Sequence, residues 1–399
     1  MSLTEKQLLD DVRRRLFAPA RSASPRAIGL ELELIPVHRA TRQRALVAER
    51  GSGTSKILSN LALQLGWGEQ PADGDAPSWN LADGSRISFE PGGQLEFSTA
   101  PYPGASKVID VATELVGRVR DAMSESGIEL LAVGVDPYNS VGSVPLQRNA
   151  ERYRGMTRFF ESIGPSGVQM MRQTAALQMN VERGPNPVER WRLLNALAPI
   201  IVAVFARSRE YAGSRTGHQS YRAHLWRTLD ATRTGIISNG DDPVSEYHEF
   251  ALNALAMRSG RETGSYLTFR EWMKQPEIDT DEWSFHLSTL FPEVRAKEYF
   301  ELRSADTIDI DFLAAPVVFV TGIVYDERSA KEAGTILAPP DTGLLERSGR
   351  SGLDDPEIRE LAGSMTELAL SGAARLGEDY LAPNHIRIAR EFFSRVLEQ

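Results

Sequence analysis

Four short stretches of the chain place carboxylates, amides and an arginine at every second position. They are Glu31 and Glu33 in IGLELEL, Gln94 and Glu96 in ISFEPGGQLEFSTAP, Gln178 and Asn180 in MMRQTAALQMNVE, and Glu301 and Arg303 in AKEYFELRSAD. The alternate positions are apolar: Leu30, Leu32 and Leu34, then Leu95 and Phe97, then Leu177, Met179 and Val181, then Phe300 and Leu302. Successive side chains on a strand point to opposite faces, so this spacing predicts four strands with one apolar and one polar face. A merely solvated face would mix in lysine and threonine, whereas these are carboxylate-rich and almost lysine-free. Several carboxylates on one face repel unless cations neutralise them, and hard oxygen ligands select Mg²⁺ or Mn²⁺. A site for two or three metal ions is the simplest explanation. Glu90 joins the set across Pro91-Gly92-Gly93, a break that suits a bulge or tight bend.

Magnesium held by carboxylates commonly serves phosphate, bridging nucleotide oxygens and offsetting charge during phosphoryl transfer. The cationic stretch SRTGHQSYRAHLWRTLDATRTG, with Arg215, Arg222, Arg227 and Arg233, supplies guanidinium groups that grip phosphates and carboxylates bidentately. Taken one at a time, each arginine also reads as a surface ion pair. Together the pattern points to an ATP- and Mg²⁺-dependent enzyme acting on a carboxylate.

The elements that must position these groups follow from periodicity. Thr4 and Gln7 form a capping box before a short amphipathic helix. A strand is expected over 27–37, a helix over 106–126 and a short buried strand at IELLAVGV. Residues 137–167 and the arginine stretch read as loop and turn, 187–205 as a long helix, 312–324 as buried, and 355–399 as mainly helical. GSGTSK, ending at Lys56, lacks the full phosphate-loop spacing and reads as a loop with Ser55 capping the next helix. Residues 51–56 and 347–352 are candidate mobile loops for a lid that excludes water. No repeat or clean boundary appears, so residues 1–399 are expected to form a single catalytic domain: an N-terminal helix within 1–26, a core over 27–327 and a mostly helical region over 328–399.

With 399 residues, 41% of them hydrophobic, the chain can bury a substantial core. A net charge of −9 argues against nucleic acid or an anionic membrane as partner. The absence of cysteine excludes disulfides, thiolate metal sites and a thiol nucleophile. No signal peptide or long apolar run is seen, and a soluble, cytoplasmic protein is expected.

The ordered runs IGLELEL, ISFEPGGQLEFSTAP, RYRGM, MMRQTAALQMNVE, SYRAHLWRTLDATRTG and HLSTLFPEVRAKEYFELRSAD resemble the plant-type glutamate-cysteine ligase family, which includes bacterial enzymes of ergothioneine synthesis. The resemblance implies an α+β, glutamine-synthetase-like catalytic domain: a curved, mainly antiparallel sheet with helices on its convex side. It implies a reaction in which ATP phosphorylates the γ-carboxylate of L-glutamate and the amine of L-cysteine attacks the acyl phosphate. Carried over by position, Glu31, Glu33, Glu90, Glu96, Gln178 and Glu301 resemble the metal-side residues. Arg303 resembles the arginine near the transferring phosphate, Arg222 one that holds a glutamate carboxylate, and Arg233 a nucleotide-phosphate contact. Arg172 and Tyr153 lie in motifs that match the substrate side. The redox-controlling cysteine pairs of plant members are missing, and nothing in the residues fixes cysteine as the acceptor. A γ-glutamyl ligase with another amine acceptor, or a non-catalytic binding homologue, are the alternatives.

Overall fold

An eleven-residue strand, β1 (Ile28–His38), is the axis of the sheet. Leu30, Leu32 and Leu34 are buried on one side of it, while Glu31 and Glu33 alternate to the other. The other strands of this sheet are β2 (Gly68–Gln70), β3 (Ser78–Asn80), β4 (Arg86–Phe89), β5 (Leu95–Ser98), β6 (Ile128–Leu131) and β7 (Ala176–Val181). Two small ribbons follow, β8 (Glu210–Tyr211) with β9 (Ser214–Arg215) and β10 (Thr234–Gly235) with β11 (Phe291–Pro292). The hairpin β12 (Val294–Ala296) and β13 (Phe300–Asp306) completes the nine-stranded sheet, in the order β12-β13-β7-β1-β5-β4-β3-β2, with β6 paired to the end of β1. Every pairing within it is antiparallel. This computed structural model describes residues 3–20, 26–49, 53–70, 75–237, 240–260, 265–339 and 341–398.

The helices are α1 (Glu5–Asp11), α2 (Thr54–Leu65), α3 (Ala105–Glu125), α4 (Glu151–Ile163), α5 (Pro165–Gln173), α6 (Pro187–Val204), α7 (Tyr221–Leu229) and α8 (Pro243–Asn253). They continue with α9 (Phe269–Trp272), α10 (Thr280–Leu287), α11 (Ala314–Val324), α12 (Glu327–Ile336), α13 (Thr342–Ser351), α14 (Pro356–Leu376) and α15 (Pro383–Leu397). The apolar face of the sheet shares one core with α3 and α6, and α11, α14 and α15 lie behind them. α11 is buried at every position, as its unbroken apolar sequence requires. It crosses α14 so closely that a Cβ on Gly322 would lie 2.1 Å from the Ala369 carbonyl oxygen. Only glycine permits that approach.

The capping box at Thr4 and Gln7 forms as expected. Three readings are corrected. The segment expected as loop over 137–167 contains α4 and leads into α5, because Met156, Phe159 and Phe160 recur at helical spacing and are buried with Val168 and Met171 in a second apolar cluster. The middle of the arginine stretch, Tyr221–Leu229, is helical as well: Ser220 caps α7, accepting a hydrogen bond from the Ala223 N–H. Of the two candidate lids, 347–352 lies almost wholly in α13 and residues 54–56 open α2, where Gly53 rather than Ser55 is the N-cap. Residues 51 and 52 lie outside the described residues.

Candidate active site

The register of the sheet gathers the four polar stretches, because β13, β7, β1 and β5 are consecutive neighbours. Glu33 lies opposite Glu96, Glu31 opposite Gln178, and Asn180 opposite Glu301. Facing residues of an antiparallel pair share a side of the sheet, so these groups line one face. Glu90 arrives by a different route. The Pro91-Gly92-Gly93 break, expected as a bulge or bend, is the turn of the β4–β5 hairpin: the Gly93 N–H donates to the Glu90 carbonyl at 2.8 Å, and the Glu90 N–H to the Gln94 carbonyl at 2.8 Å. Gly93 has φ +82°, and a Cβ on Gly92 would lie 2.2 Å from the Arg172 carbonyl oxygen, so both glycines are dictated by geometry.

One carboxylate oxygen from each of Glu33, Glu90 and Glu96 lies within 4.8 Å of the others. Two full charges at that distance repel by about 3 kcal/mol or more at an effective dielectric near 20. Burial, then the charge of Glu96, raises Glu33 from its usual 4.5 to about 7. The same causes, joined by Glu33, hold Glu90 well above the carboxylate range. Glu31 is also raised, by burial and then by Glu301 and Glu96. These are oxygen donors at close quarters with a surplus of negative charge, so they fit a hard divalent cation. Glu33 is held in place by the Ala176 N–H at 2.8 Å and the Gln178 Nε2 at 3.1 Å, while Asn180 Nδ2 donates to Glu31 at 2.9 Å. Ser88 Oγ donates to Glu96 at 2.8 Å.

Glu301 is in the opposite state. Burial would raise it, but Arg295, Arg303 and Lys297 outweigh burial and hold it far below the ordinary range. Arg295 Nε donates to it at 2.6 Å, Arg303 Nη1 at 2.6 Å, and Lys297 forms a further short contact. The polar face is therefore not lysine-free at this end, and Glu301 already has cationic partners when Glu33, Glu90 and Glu96 do not balance one another. Arg295 and Lys297 were missed as site residues. Their signal was the β12–β13 hairpin itself, which sets Arg295 opposite Glu301.

The arginines divide by what they touch. Arg303 Nη1 bridges Glu301 and Gln178 Oε1, each at 2.6 Å, and its Nε has no partner among the described residues. Arg222, on α7, is buried and spends Nη2 on the Arg303 carbonyl at 2.6 Å and Nη1 on the Ser304 carbonyl at 3.4 Å. It sits 3.7 Å from Asp306, stacks 4.8 Å from Trp226, and its Nε has no partner among the described residues. Its position supports Arg303 from behind, which differs from the expected grip on a substrate carboxylate. Arg233 departs further: at 0% exposure it donates to Asp230 at 2.7 Å and to the Thr289 and Leu255 carbonyls, with its guanidinium 4.5 Å from the Phe159 ring. That leaves no exposed donor for a nucleotide phosphate. The sequence motif carried both arginines; which way they point depends on α7 and the loop beyond it. Tyr153, on α4, lies under the Arg148 guanidinium at 4.8 Å, and burial and then Glu90 raise its phenol. Arg172 closes α5 half-buried, with Nε unpartnered among the described residues.

The model of the family described as "Glutamate-cysteine ligase family 2(GCS2)" matches residues 27–378, extending past the expected core to α14. A relative named glutamate–cysteine ligase EgtA, from Mycolicibacterium smegmatis, is 32% identical over 336 residues, 79% of this chain and 77% of its own length. The chloroplastic glutamate–cysteine ligase of Medicago truncatula is 31% identical over 81% of this chain and 68% of its own. The structure of a glutamate–cysteine ligase from Francisella tularensis in complex with AMP superposes with a TM-score of 0.55 at 12% identity, covering 94% of this chain and 83% of that one. At that identity the likeness concerns the fold, and it bears out the expected α+β, glutamine-synthetase-like architecture. With this architecture, a match spanning residues 27–378 and relatives near one third identical, the chain belongs to glutamate-cysteine ligase family 2.

Proposed function

We propose that this chain is an ATP- and Mg²⁺-dependent ligase that joins L-glutamate to L-cysteine through a γ-glutamyl phosphate. The observation that carries the reading is the meeting of Glu33, Glu90 and Glu96 within 4.8 Å on a face shared with Glu31, Gln178 and Glu301. Those residues would hold two or three ions, with Mn²⁺ an acceptable substitute for Mg²⁺. Bound there, Mg²⁺ would neutralise phosphate charge and polarise the transferring group. The chain's own residues supply the rest. Gln178 orients Glu33 and Arg303 at once, donating to one and accepting from the other. Arg303, fixed by Glu301 and backed by Arg222, offers its remaining guanidinium N–H groups to the phosphoryl oxygens. Arg172 and Tyr153 would grip the amino-acid substrate, Arg172 with its unpartnered Nε and Tyr153 with its phenol. The surroundings of the site are apolar around Trp226 and Phe291, which favours keeping water from the acyl phosphate.

The test is an ADP-release assay on purified protein with Mg-ATP and L-glutamate fixed and a panel of amines varied, with mass spectrometry of the product. ADP release on adding cysteine, with γ-glutamylcysteine as product, supports the reading. Turnover with another amine reassigns the acceptor, and binding of ATP and glutamate without ADP formation across the panel points to the non-catalytic homologue.

A further inference from the structure

A cavity of about 720 Å³ lies away from the carboxylate face, where the ends of β6 and α6 meet the β8–β9 ribbon and α15. None of the carboxylates discussed above lines it. Its back wall is apolar, with Val133, Val135, Phe312 and Phe392, and its rim carries Arg207, Arg209, Arg215, Arg359 and Arg395 against the acidic Glu210 and Asp354. In a chain of net charge −9 this local excess of cations runs against the whole. Arg359 is anchored, donating to the Leu353 carbonyl at 2.7 Å and the Leu397 carbonyl at 3.2 Å, and Arg395 pairs with Glu391. Arg207, Arg209 and Arg215 make no ion pair among the described residues, while Asp354 is already taken by Gln219 Nε2 at 2.5 Å. Gln219, also in the lining, has a buried Oε1 with no partner among the described residues. Unneutralised guanidinium groups around a half-apolar hollow are an anion-binding arrangement.

The cavity is also wired to the site. The Arg207 N–H donates to Asp306 at 2.8 Å and the Ser208 Oγ at 2.7 Å, and both residues line the cavity. Asp306 faces Arg222, which holds the carbonyls of Arg303 and Ser304. A shift of the 207–209 backbone on binding would therefore reach the strand that carries Arg303.

We propose that this cavity is a regulatory site for a small organic or inorganic polyanion, bearing at least two acid groups, gripped by Arg207, Arg209 and Arg215. It goes beyond the proposed ligase reading, and its binding test does not depend on that reading. Isothermal titration of the metal-free chain with citrate and with inorganic pyrophosphate is the experiment, the two probes separating carboxylate from phosphate preference. Binding by the wild type is expected, at least tenfold weaker in R209A/R215A and unchanged in R13A, which removes an exposed arginine just past α1 whose ion-pair partner, Asp10, lies outside the cavity. Both substituted arginines are exposed, so the double variant should keep its melting temperature. Failure of both probes to bind, or equal binding by the double variant, overturns the site. With free Mg²⁺ held constant, a saturating probe should change the KM for glutamate at least twofold in wild type only. Binding without any kinetic change, or the same change in R209A/R215A, overturns the coupling to Arg303.

Discussion

Without metal, the carboxylate face should make the protein less stable as pH rises, and the amount can be worked out for Glu33. Its carboxyl stands at about 7 in the folded chain against a usual 4.5, so between those values the folded state holds more protons than the unfolded one. Stability then falls as pH rises across that window: the contribution is fully present below 4.5 and is lost by the time pH passes about 7. At about 1.4 kcal/mol per pH unit the loss from Glu33 is about 3 kcal/mol. Unfolding entropy of about 2 cal/mol/K per residue, over a chain of this length, converts that to about 4 °C. Glu90, raised in the same direction, adds to it. The perturbation is Glu33→Gln, which removes the titrating group. It costs a pH-independent hydrogen bond from Gln178, so the readout is the change in Tm between pH 5 and 8, not Tm itself. Between pH 5 and 8 most of that loss, about 2.5 kcal/mol, is realised, so differential scanning calorimetry of metal-free protein should show a decline smaller by about 3 °C in the variant. Saturating Mg²⁺ should offset the decline in wild type, because bound cation replaces the protons. Equal pH dependence in the two proteins, or equal stabilisation of both by Mg²⁺, would refute the claim that Glu33 is an uncompensated carboxyl in a cation site.

Other outcomes follow from single contacts. Glu96→Gln removes one of the three clustered charges and should abolish metal-dependent ADP release while leaving circular dichroism unchanged; retained activity would remove Glu96 from the ligand set. Arg44 and Asp136 form a fully buried pair, at 2.8 and 3.0 Å, that also fixes the Gly92 and Arg172 carbonyls. Arg44→Ala leaves Asp136 uncompensated and should cost about 3–5 kcal/mol in chemical denaturation. Gly92→Ala drives a methyl into the Arg172 backbone and should cost about 1–3 kcal/mol, and it should weaken Mg²⁺ dependence of turnover by displacing Glu90, which a kinetic titration of Mg²⁺ would read. Arg295→Met takes one of three cations from Glu301 and loosens the carboxylate that fixes Arg303, so it should lower kcat several-fold at fixed Mg²⁺; unchanged turnover would contradict that positioning role.

Much of the polar face was legible in the chain because strand geometry has a period of two. Glu31 and Glu33, Gln94 and Glu96, Gln178 and Asn180, Glu301 and Arg303 each declare a shared side without any knowledge of the fold. The helical periods of α3 and α6 and the unbroken apolar run of α11 were equally plain, and the ordered motifs pointed to the family. Local pattern does not say which strands are neighbours, and pairing across 145 residues, as between Glu33 and Gln178, exists only in the assembled sheet. Tertiary structure therefore decided that Glu33, Glu90 and Glu96 converge while Glu301 is claimed by Arg295 and Lys297. It also decided the arginines: a guanidinium at the end of a long side chain reads the same in sequence whether it faces a substrate or a backbone carbonyl. Arg222 and Arg233 face carbonyls because α7 and the β10–β11 ribbon turn them inward. ISFEPGGQLEFSTAP shows both sides of the division, since its alternation fixed the side on which Glu96 lies, but only the hairpin, with Gly92 pressed on Arg172, brought Glu90 to meet it.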